Sequence, residues 1–144
     1  MKTLTTRFVI AVAALAVAAA SASAQTYKAD IPMAFRAGSE LLRAGAYEVR
    51  LDRSYDGQPM LTIRSLSTTK RSVLIATPGR DPAKSWKRDG HAVISFQCLG
   101  GQCALSELWT GSTAASTYSF PGLKLRPADV ERIASISVAL TRGD

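Results

Sequence analysis

Polar and apolar residues alternate along most of the chain after residue 24, and this alternation limits the fold more than any other feature. Within residues 47–51, Tyr47, Val49 and Leu51 would share one face of a strand, and Glu48 and Arg50 the other. A period of two is typical of a β-strand with one buried face. No long helical stripe of apolar residues appears. The sequence therefore predicts an all-β domain.

The predicted architecture is a small antiparallel barrel or sandwich of about seven or eight strands, and the pattern leaves both forms open. Segments rich in Pro, Gly, Ser or Thr separate the strands and are predicted to be loops, chiefly residues 78–90 and 111–122. Pro127 is suited to open one helical turn through residue 132. The other strands are predicted at residues 27–35, 60–65, 71–77, 91–98, 103–110 and 134–141.

A hairpin centred on Gly100 and Gly101 is the strongest local prediction. A two-residue turn at these glycines places Cys98 opposite Cys103 on neighbouring strands. Residues 1–24 have the features of an export signal, and cysteines in an exported chain are normally oxidised. No other cysteine competes with this pair. We therefore predict a cross-strand structural disulfide, with free thiols as the alternative. The C-x4-C spacing does not match a C-x-x-C redox motif or a zinc site.

Counting back from this turn predicts the register of the hairpin. Phe96 should face Leu105, and two residues further on Ile94 should face Glu107. The face that carries Ile94, Phe96 and Leu105 is apolar, so Glu107 is predicted on the core side. The same count places Trp109 on that face, opposite residue 92.

A carboxylate on a core face must be paired, hydrogen-bonded or neutral, because an isolated buried charge costs several kcal/mol. Glu107 could have an internal partner such as Arg50, Arg64 or a tyrosine hydroxyl, or lie where water reaches it. Alternatively, Glu107 is the polar anchor of a ligand cavity, or a catalytic carboxylate. The walls of the predicted cavity are Phe96, Leu105 and Trp109.

The loop at residues 78–90 places basic side chains around one tryptophan. The basic residues are Arg80, Lys84, Lys87 and Arg88, and the ring is Trp86. One interpretation is a solvated loop whose ring folds onto the rim of the domain. The other is a contact site for an anionic surface, where the ring lies at the interface.

The first 24 residues have the features of an export signal. Lys2 and Arg7 precede an apolar run over residues 8–20, and small residues lead up to Ala24. The run is shorter than the roughly 20 residues needed to span a membrane. We predict cleavage after Ala24, a single β domain over residues 25–144, no membrane anchor after processing, and a periplasmic or secreted protein.

Short motifs spread over most of the predicted domain resemble those of a known protein family. They are Ile31-Pro32-x-x-Phe35-x-x-Gly38, Leu42-x-Ala44-Gly45-x-Tyr47-x-Val49, Leu61-x-Ile63-Arg64-Ser65, residues 93–96 and Leu105-Ser106-Glu107-Leu108-Trp109. In these motifs the chain resembles a family of small exported bacterial β-rich proteins without an assigned function. The resemblance implies a β scaffold and supplies no reaction.

The sequence favours a binding or interaction role over catalysis. It contains one histidine and none of the common nucleophile, metalloprotease or phosphate-loop motifs, so we predict neither an enzyme nor a cofactor. Without Lys2 and Arg7, 16 of the 18 basic residues remain against 11 acidic ones. This excess favours anionic envelope polymers or surfaces over nucleic acid. The main hypothesis is a module that binds such a polymer or a small apolar ligand. The alternative is a structural or interaction protein of the cell envelope.

Overall fold

The computed structural model describes residues 25–143, and these form two β-sheets packed face to face. The predicted signal segment lies outside the described residues. The strands are β1 (Gln25–Ile31), β2 (Phe35–Ala37), β3 (Glu40–Leu42), β4 (Gly45–Arg53), β5 (Pro59–Ser65), β6 (Arg71–Ile75), β7 (Thr77–Pro78), β8 (Val93–Leu99), β9 (Gln102–Trp109), β10 (Tyr118–Ser119), β11 (Ala134–Ala139) and β12 (Thr141–Arg142). A helix, α1 (Lys84–Asp89), and a 3-10 helix (Pro127–Arg132) complete the described elements.

Sheet I has the strand order β12-β1-β4-β5-β6, and sheet II has the order β11-β8-β9-β10-β7. All neighbours in these two rows pair antiparallel. The short β2 joins sheet II by a parallel contact with β9 and pairs with β3. The predicted all-β fold is confirmed, and of the two forms left open the molecule is a sandwich.

The chain passes from one sheet to the other at two corners. Ala76 lies between β6 of sheet I and β7 of sheet II, and Leu140 lies between β11 of sheet II and β12 of sheet I. Both corner side chains are buried. The apolar side chain at each corner is therefore removed from water and adds to the core between the sheets.

The main core fills the space between the sheets with the inward residues of both. Phe35 is at its centre, with its ring centroid 5.2 Å from that of Tyr47 and 5.1 Å from that of Phe96, both edge to face. Such pairs stabilise a core by about 1 kcal/mol beyond their area burial. The alternation predicted for β4 is confirmed, since Tyr47 and Val49 are buried and Arg50 is exposed.

Several predicted boundaries differ from the structure for local reasons. The first predicted strand is divided, because Pro32 has no N–H to donate and β1 ends at Ile31. The strand predicted at 71–77 turns at Ala76 into a second sheet, and β10 lies inside the loop predicted at 111–122. These short pieces raise the count to twelve described strands, against seven or eight predicted.

Candidate functional site

The β8–β9 hairpin follows the predicted register only as far as Phe96. Cys98 lies opposite Cys103, and Phe96 lies opposite Leu105. The two sulfurs form a disulfide with a Cα–Cα distance of 4.0 Å. Gly100 and Gly101 have φ angles of 58° and 81°, the left-handed conformation that a two-residue turn between strands requires. The predicted disulfide hairpin is confirmed.

Beyond Phe96 the predicted register is wrong, because a β-bulge shifts it by one residue. Glu107 lies opposite Ser95 instead of Ile94, and Trp109 lies opposite Val93. Ser106 is the extra residue on β9. An extra residue turns every later side chain to the other face of the sheet. Glu107 and Trp109 are consequently on the outer face of sheet II, away from the main core.

The four residues predicted to form a ligand cavity are therefore divided between two faces. Phe96 and Leu105 are fully buried in the main core, between the sheets. Trp109 belongs to a second, smaller apolar cluster with Trp86. Glu107 is held by polar partners on that same outer side. The structure does not bring these four side chains together around a common space.

Glu107 forms a two-point contact with Arg80. The Nε of Arg80 donates to both carboxylate oxygens at 3.2 and 3.1 Å, and its Nη2 donates to Oε1 at 3.0 Å. The hydroxyl of Thr117 lies 3.0 Å from Oε2 of Glu107 and 3.0 Å from the backbone carbonyl of Arg80. The hydrogen bond to Glu107 raises the pKa of Arg80 above its usual value. This arrangement is a structural ion pair, because every charge in it has its partner.

The internal partners that the sequence suggested for Glu107 were wrong. Arg64 contacts Glu48 at 3.1 Å, and Arg50 lies 3.6 Å from Asp52. Both pairs are on sheet I. The partner in the structure is Arg80, which lies in the segment predicted as the loop at residues 78–90.

The second apolar cluster attaches α1 to the outer face of sheet II. Trp86 is only 8% exposed and packs with Val93 and Trp109, and the guanidinium of Arg80 lies 5.9 Å from the centre of its ring. The indole N–H of Trp109 donates to the carbonyl of Ser112 at 3.0 Å. Since Trp86 is buried, its ring folds onto the domain as one of the two interpretations predicted. It is not free to lie in an interface.

The basic residues predicted around Trp86 divide into two groups. Arg80 is held by Glu107, whereas Lys84, Lys87 and Arg88 are exposed on α1. Arg88 is close to Asp89, at 3.6 Å, in a pair that is exposed on both sides. The three α1 side chains thus form a small basic surface without the tryptophan.

The side of sheet I formed by β6 is an unpaired strand edge. The N–H of Ser65 donates to Lys70 at 2.9 Å at one end, and the N–H of Ala76 donates to Pro59 at 3.0 Å at the other. Hydrogen-bonded pairs alternate along an antiparallel ladder, so the backbones of residues 72 and 74 bond to β5. The backbone groups of residues 71, 73 and 75 then point to the open side.

The open side of β6 is also apolar. Val73 and Ile75 are 54% and 53% exposed on the outer face of sheet I, next to Arg71. Within residues 25–143, no backbone hydrogen bond reaches these three residues from another segment. We call Arg71, Val73 and Ile75 the β6 edge. Sequence reasoning predicted a strand at residues 71–77 but did not identify it as an edge, because an apolar run does not show where a strand lies in its sheet.

Among the described residues, no group of three or more His, Cys, Asp or Glu is placed to hold a metal ion. No helix within residues 25–143 is both long and apolar enough to cross a membrane. Comparisons of the chain with protein-family models, with curated proteins and with solved structures found no match. The candidate functional surfaces of the molecule are the β6 edge and the basic side of α1.

Proposed function

We propose that the protein is exported and acts as an interaction protein of the cell envelope, docking an extended segment of another protein along the β6 edge. The observation that carries this proposal is the open, apolar strand edge, in a molecule whose large side chains between the sheets are buried against one another. Exposed strand edges pair readily with another chain, and natural proteins usually protect them. An edge left open for five residues is therefore a candidate for recognition.

The interior gives less support to a small apolar ligand, the first of the two roles considered from the sequence. The largest side chains between the sheets, among them Phe35, Phe96 and Leu105, are fully buried and contact one another. The polar anchor of the expected cavity, Glu107, already binds Arg80 and Thr117 on the outer face. Neither the walls nor the anchor of that cavity remains available to a ligand.

Two of the other edges of the sandwich, β7 and β12, are better protected than β6. The remaining side of sheet II is β11, which has six residues and no charged one, but its fully exposed residues are all Ala or Ser. β7, at one side of sheet II, has only two residues, and one of them is Pro78, which has no N–H. β12, at the other side of sheet I, also has two residues. Short edges and proline are common protections against unwanted pairing. β6 has five residues, and Arg71 is the only charged one among them.

Export is supported by the first 24 residues, with their charged start, apolar run and small residues before Gln25. The disulfide agrees with it, since disulfides persist in oxidising compartments. N-terminal sequencing of the exported protein should begin at Gln25. An intact Met1 terminus in a membrane fraction would contradict this part of the proposal.

A photo-crosslinking residue at position 75 tests the docking role in intact cells. The matched control places the same residue at Val130, an exposed apolar residue of the 3-10 helix. We expect a discrete adduct from position 75 that is absent from position 130 and is lost when Val73→Pro is added. Val73→Pro removes an N–H that makes no bond to β5, so the fold should persist. Equal adducts at both positions, or none at position 75, would contradict the proposal.

The basic side of α1 supports a second candidate function, contact with an anionic envelope polymer. Lys84, Lys87 and Arg88 are exposed together on a helix that Trp86 fixes to the domain. Such contact would be electrostatic and therefore weakened by salt.

A further inference from the structure

An unbalanced positive charge lies at one end of the β6 edge. Arg71 is directly opposite Arg64 in the β5–β6 ladder. Arg64 is satisfied by Glu48 at 3.1 Å, whereas Arg71 takes part in none of the ion pairs found within residues 25–143. Like charges directly opposite on neighbouring strands are destabilising. A carboxylate on the other side of Arg71 would relieve this repulsion.

The apolar part of the edge is next to this charge and in the same row. Val73 and Ile75 follow Arg71 at intervals of two residues, so all three side chains lie on the same face of the sheet. Their backbone N–H and C=O groups all point to the open side of β6. A strand added at this edge would meet one basic and two apolar side chains in order. All strand pairs already present in sheet I are antiparallel, and an added antiparallel strand would continue the sheet.

We infer that the β6 edge recognises an antiparallel strand of a partner protein that carries a carboxylate opposite Arg71 and apolar side chains opposite Val73 and Ile75. This inference rests on the proposed function and specifies its partner. Backbone hydrogen bonds to residues 71, 73 and 75 provide affinity that does not depend on sequence. The side chains in the row select the partner.

A second copy of the chain fits this edge less well. A twofold axis through Val73 would place Arg71 opposite Ile75 of the other copy, and each Arg71 would remain without an acidic partner. Without Lys2 and Arg7 the chain still has 16 basic residues against 11 acidic ones, and this excess opposes the approach of an identical molecule. Charge complementarity therefore favours an acidic segment of another protein.

Two synthetic peptides test the inference on the folded protein. The first is acetyl-Thr-Val-Thr-Val-Thr-Glu-Thr-amide, which in antiparallel pairing places Val, Val and Glu opposite Ile75, Val73 and Arg71. The second has Lys in place of Glu. Titration followed by amide NMR shifts reports both the affinity and the site. At low salt we expect shifts at residues 71–75 and an affinity about fivefold higher for the Glu peptide.

Charge reversal separates recognition by Arg71 from general attraction to a basic protein. In Arg71→Glu the Lys peptide should bind more tightly than the Glu peptide. The control Arg50→Glu changes the same charge on the same outer face, two strands from the edge, and should keep the original preference. Val73→Pro should abolish binding of both peptides.

Each other outcome overturns a defined part of the inference. Equal binding of the two peptides at the edge, without reversal in Arg71→Glu, would overturn acid recognition and leave edge docking intact. No binding of either peptide would overturn strand pairing, whereas the crosslinking experiment judges the proposed function separately. A dimer in sedimentation that Val73→Pro dissociates would assign the edge to a second copy and overturn the inference.

Discussion

At the scale of single residues, the bulge at Ser106 decides which face of sheet II Glu107 occupies and which residues it binds. Had the hairpin remained regular, this carboxylate would have faced the core and required an explanation as an anchor or a catalyst. With Ser106 as an extra residue, it faces outward and binds Arg80 and Thr117. These contacts attach the segment before α1, and the segment that contains Thr117, to β9.

A double-mutant cycle on Arg80→Ala and Glu107→Gln tests this pair. The side chain of Arg80 is 64% exposed and that of Glu107 only 15%, so solvent screens the pair in part. We expect a coupling of about 0.5–1 kcal/mol in the free energy of unfolding, measured by urea denaturation. The same cycle on the more exposed pair Arg50 and Asp52 is the control and should give less. Equal coupling in both cycles would contradict the structural role of Glu107.

At the scale of elements, the turn and the disulfide of the β8–β9 hairpin could be predicted from the sequence, but its bulge could not. The turn and the disulfide were predictable because two adjacent glycines fix the turn and the cysteines are symmetric about it. The bulge was not predictable, because both registers of β9 offer an apolar face: Leu105 with Trp109 in one, Leu105 with Leu108 in the other. Only packing against the rest of the molecule decides between them.

Deletion of Ser106 should be tolerated, because Ser106 is the extra residue of the bulge. Without it Glu107 would follow Leu105 directly, so Glu107 would still face outward and Leu108 would still face the main core, in a regular ladder with β8. We expect the free energy of unfolding, measured by urea denaturation, to fall by only about 1 kcal/mol. Deletion of Ala104, which has a partner on β8, is the control and should cost more, because it turns the buried Leu105 to the outer face. Loss of the folded state in the Ser106 deletion would contradict the bulge.

The disulfide should support the hairpin without being essential to the fold. It links residues only 5 apart in sequence. The chain-entropy model then gives a stabilisation of about 2 kcal/mol. We expect Cys98→Ser with Cys103→Ser to lower the Tm and leave the circular dichroism spectrum and the Glu-peptide affinity unchanged. Loss of peptide binding in the folded variant would show that the hairpin takes part in recognition.

The helix α1 gives a prediction for binding to anionic surfaces. Replacing Lys84, Lys87 and Arg88 together by Ser should abolish retention on anionic vesicles, and added salt should weaken retention of the wild type. The control replaces Lys124, Arg126 and Arg132 by Ser, which removes the same charge elsewhere. If both triple variants bind equally well, net charge explains the attraction and α1 does not.

At the scale of the whole molecule, the alternation of residues was enough to predict the all-β class but not the position of each strand in its sheet. The exposed edge was missed for this reason. Val73, Leu74 and Ile75 are three apolar residues in a row, which is typical of a strand covered on both faces. In the structure only Leu74 is buried, because it faces the core, whereas Val73 and Ile75 face the uncovered outer side of sheet I, where β6 is the last strand. Strand order depends on contacts distant in sequence, which a local pattern does not contain.

The strand order also determines where the two candidate surfaces lie on the sandwich. The β6 edge belongs to sheet I, whereas the basic side of α1 lies on the outer face of sheet II. The two surfaces are thus separated by the main core. Variants at one should leave the other unaffected, which makes the two candidate functions independently testable.

Residue-resolved amide hydrogen exchange along β6, free and with the Glu peptide, tests the central claim most directly. In the free protein we expect slow exchange at Ser72 and Leu74, which bond to β5, and fast exchange at Val73 and Ile75, which face the open side. Bound peptide should make Val73 and Ile75 slow as well. Protection of Val73 and Ile75 in the free monomer, or no gain in protection when the peptide is bound, would contradict an open edge that docks a partner strand.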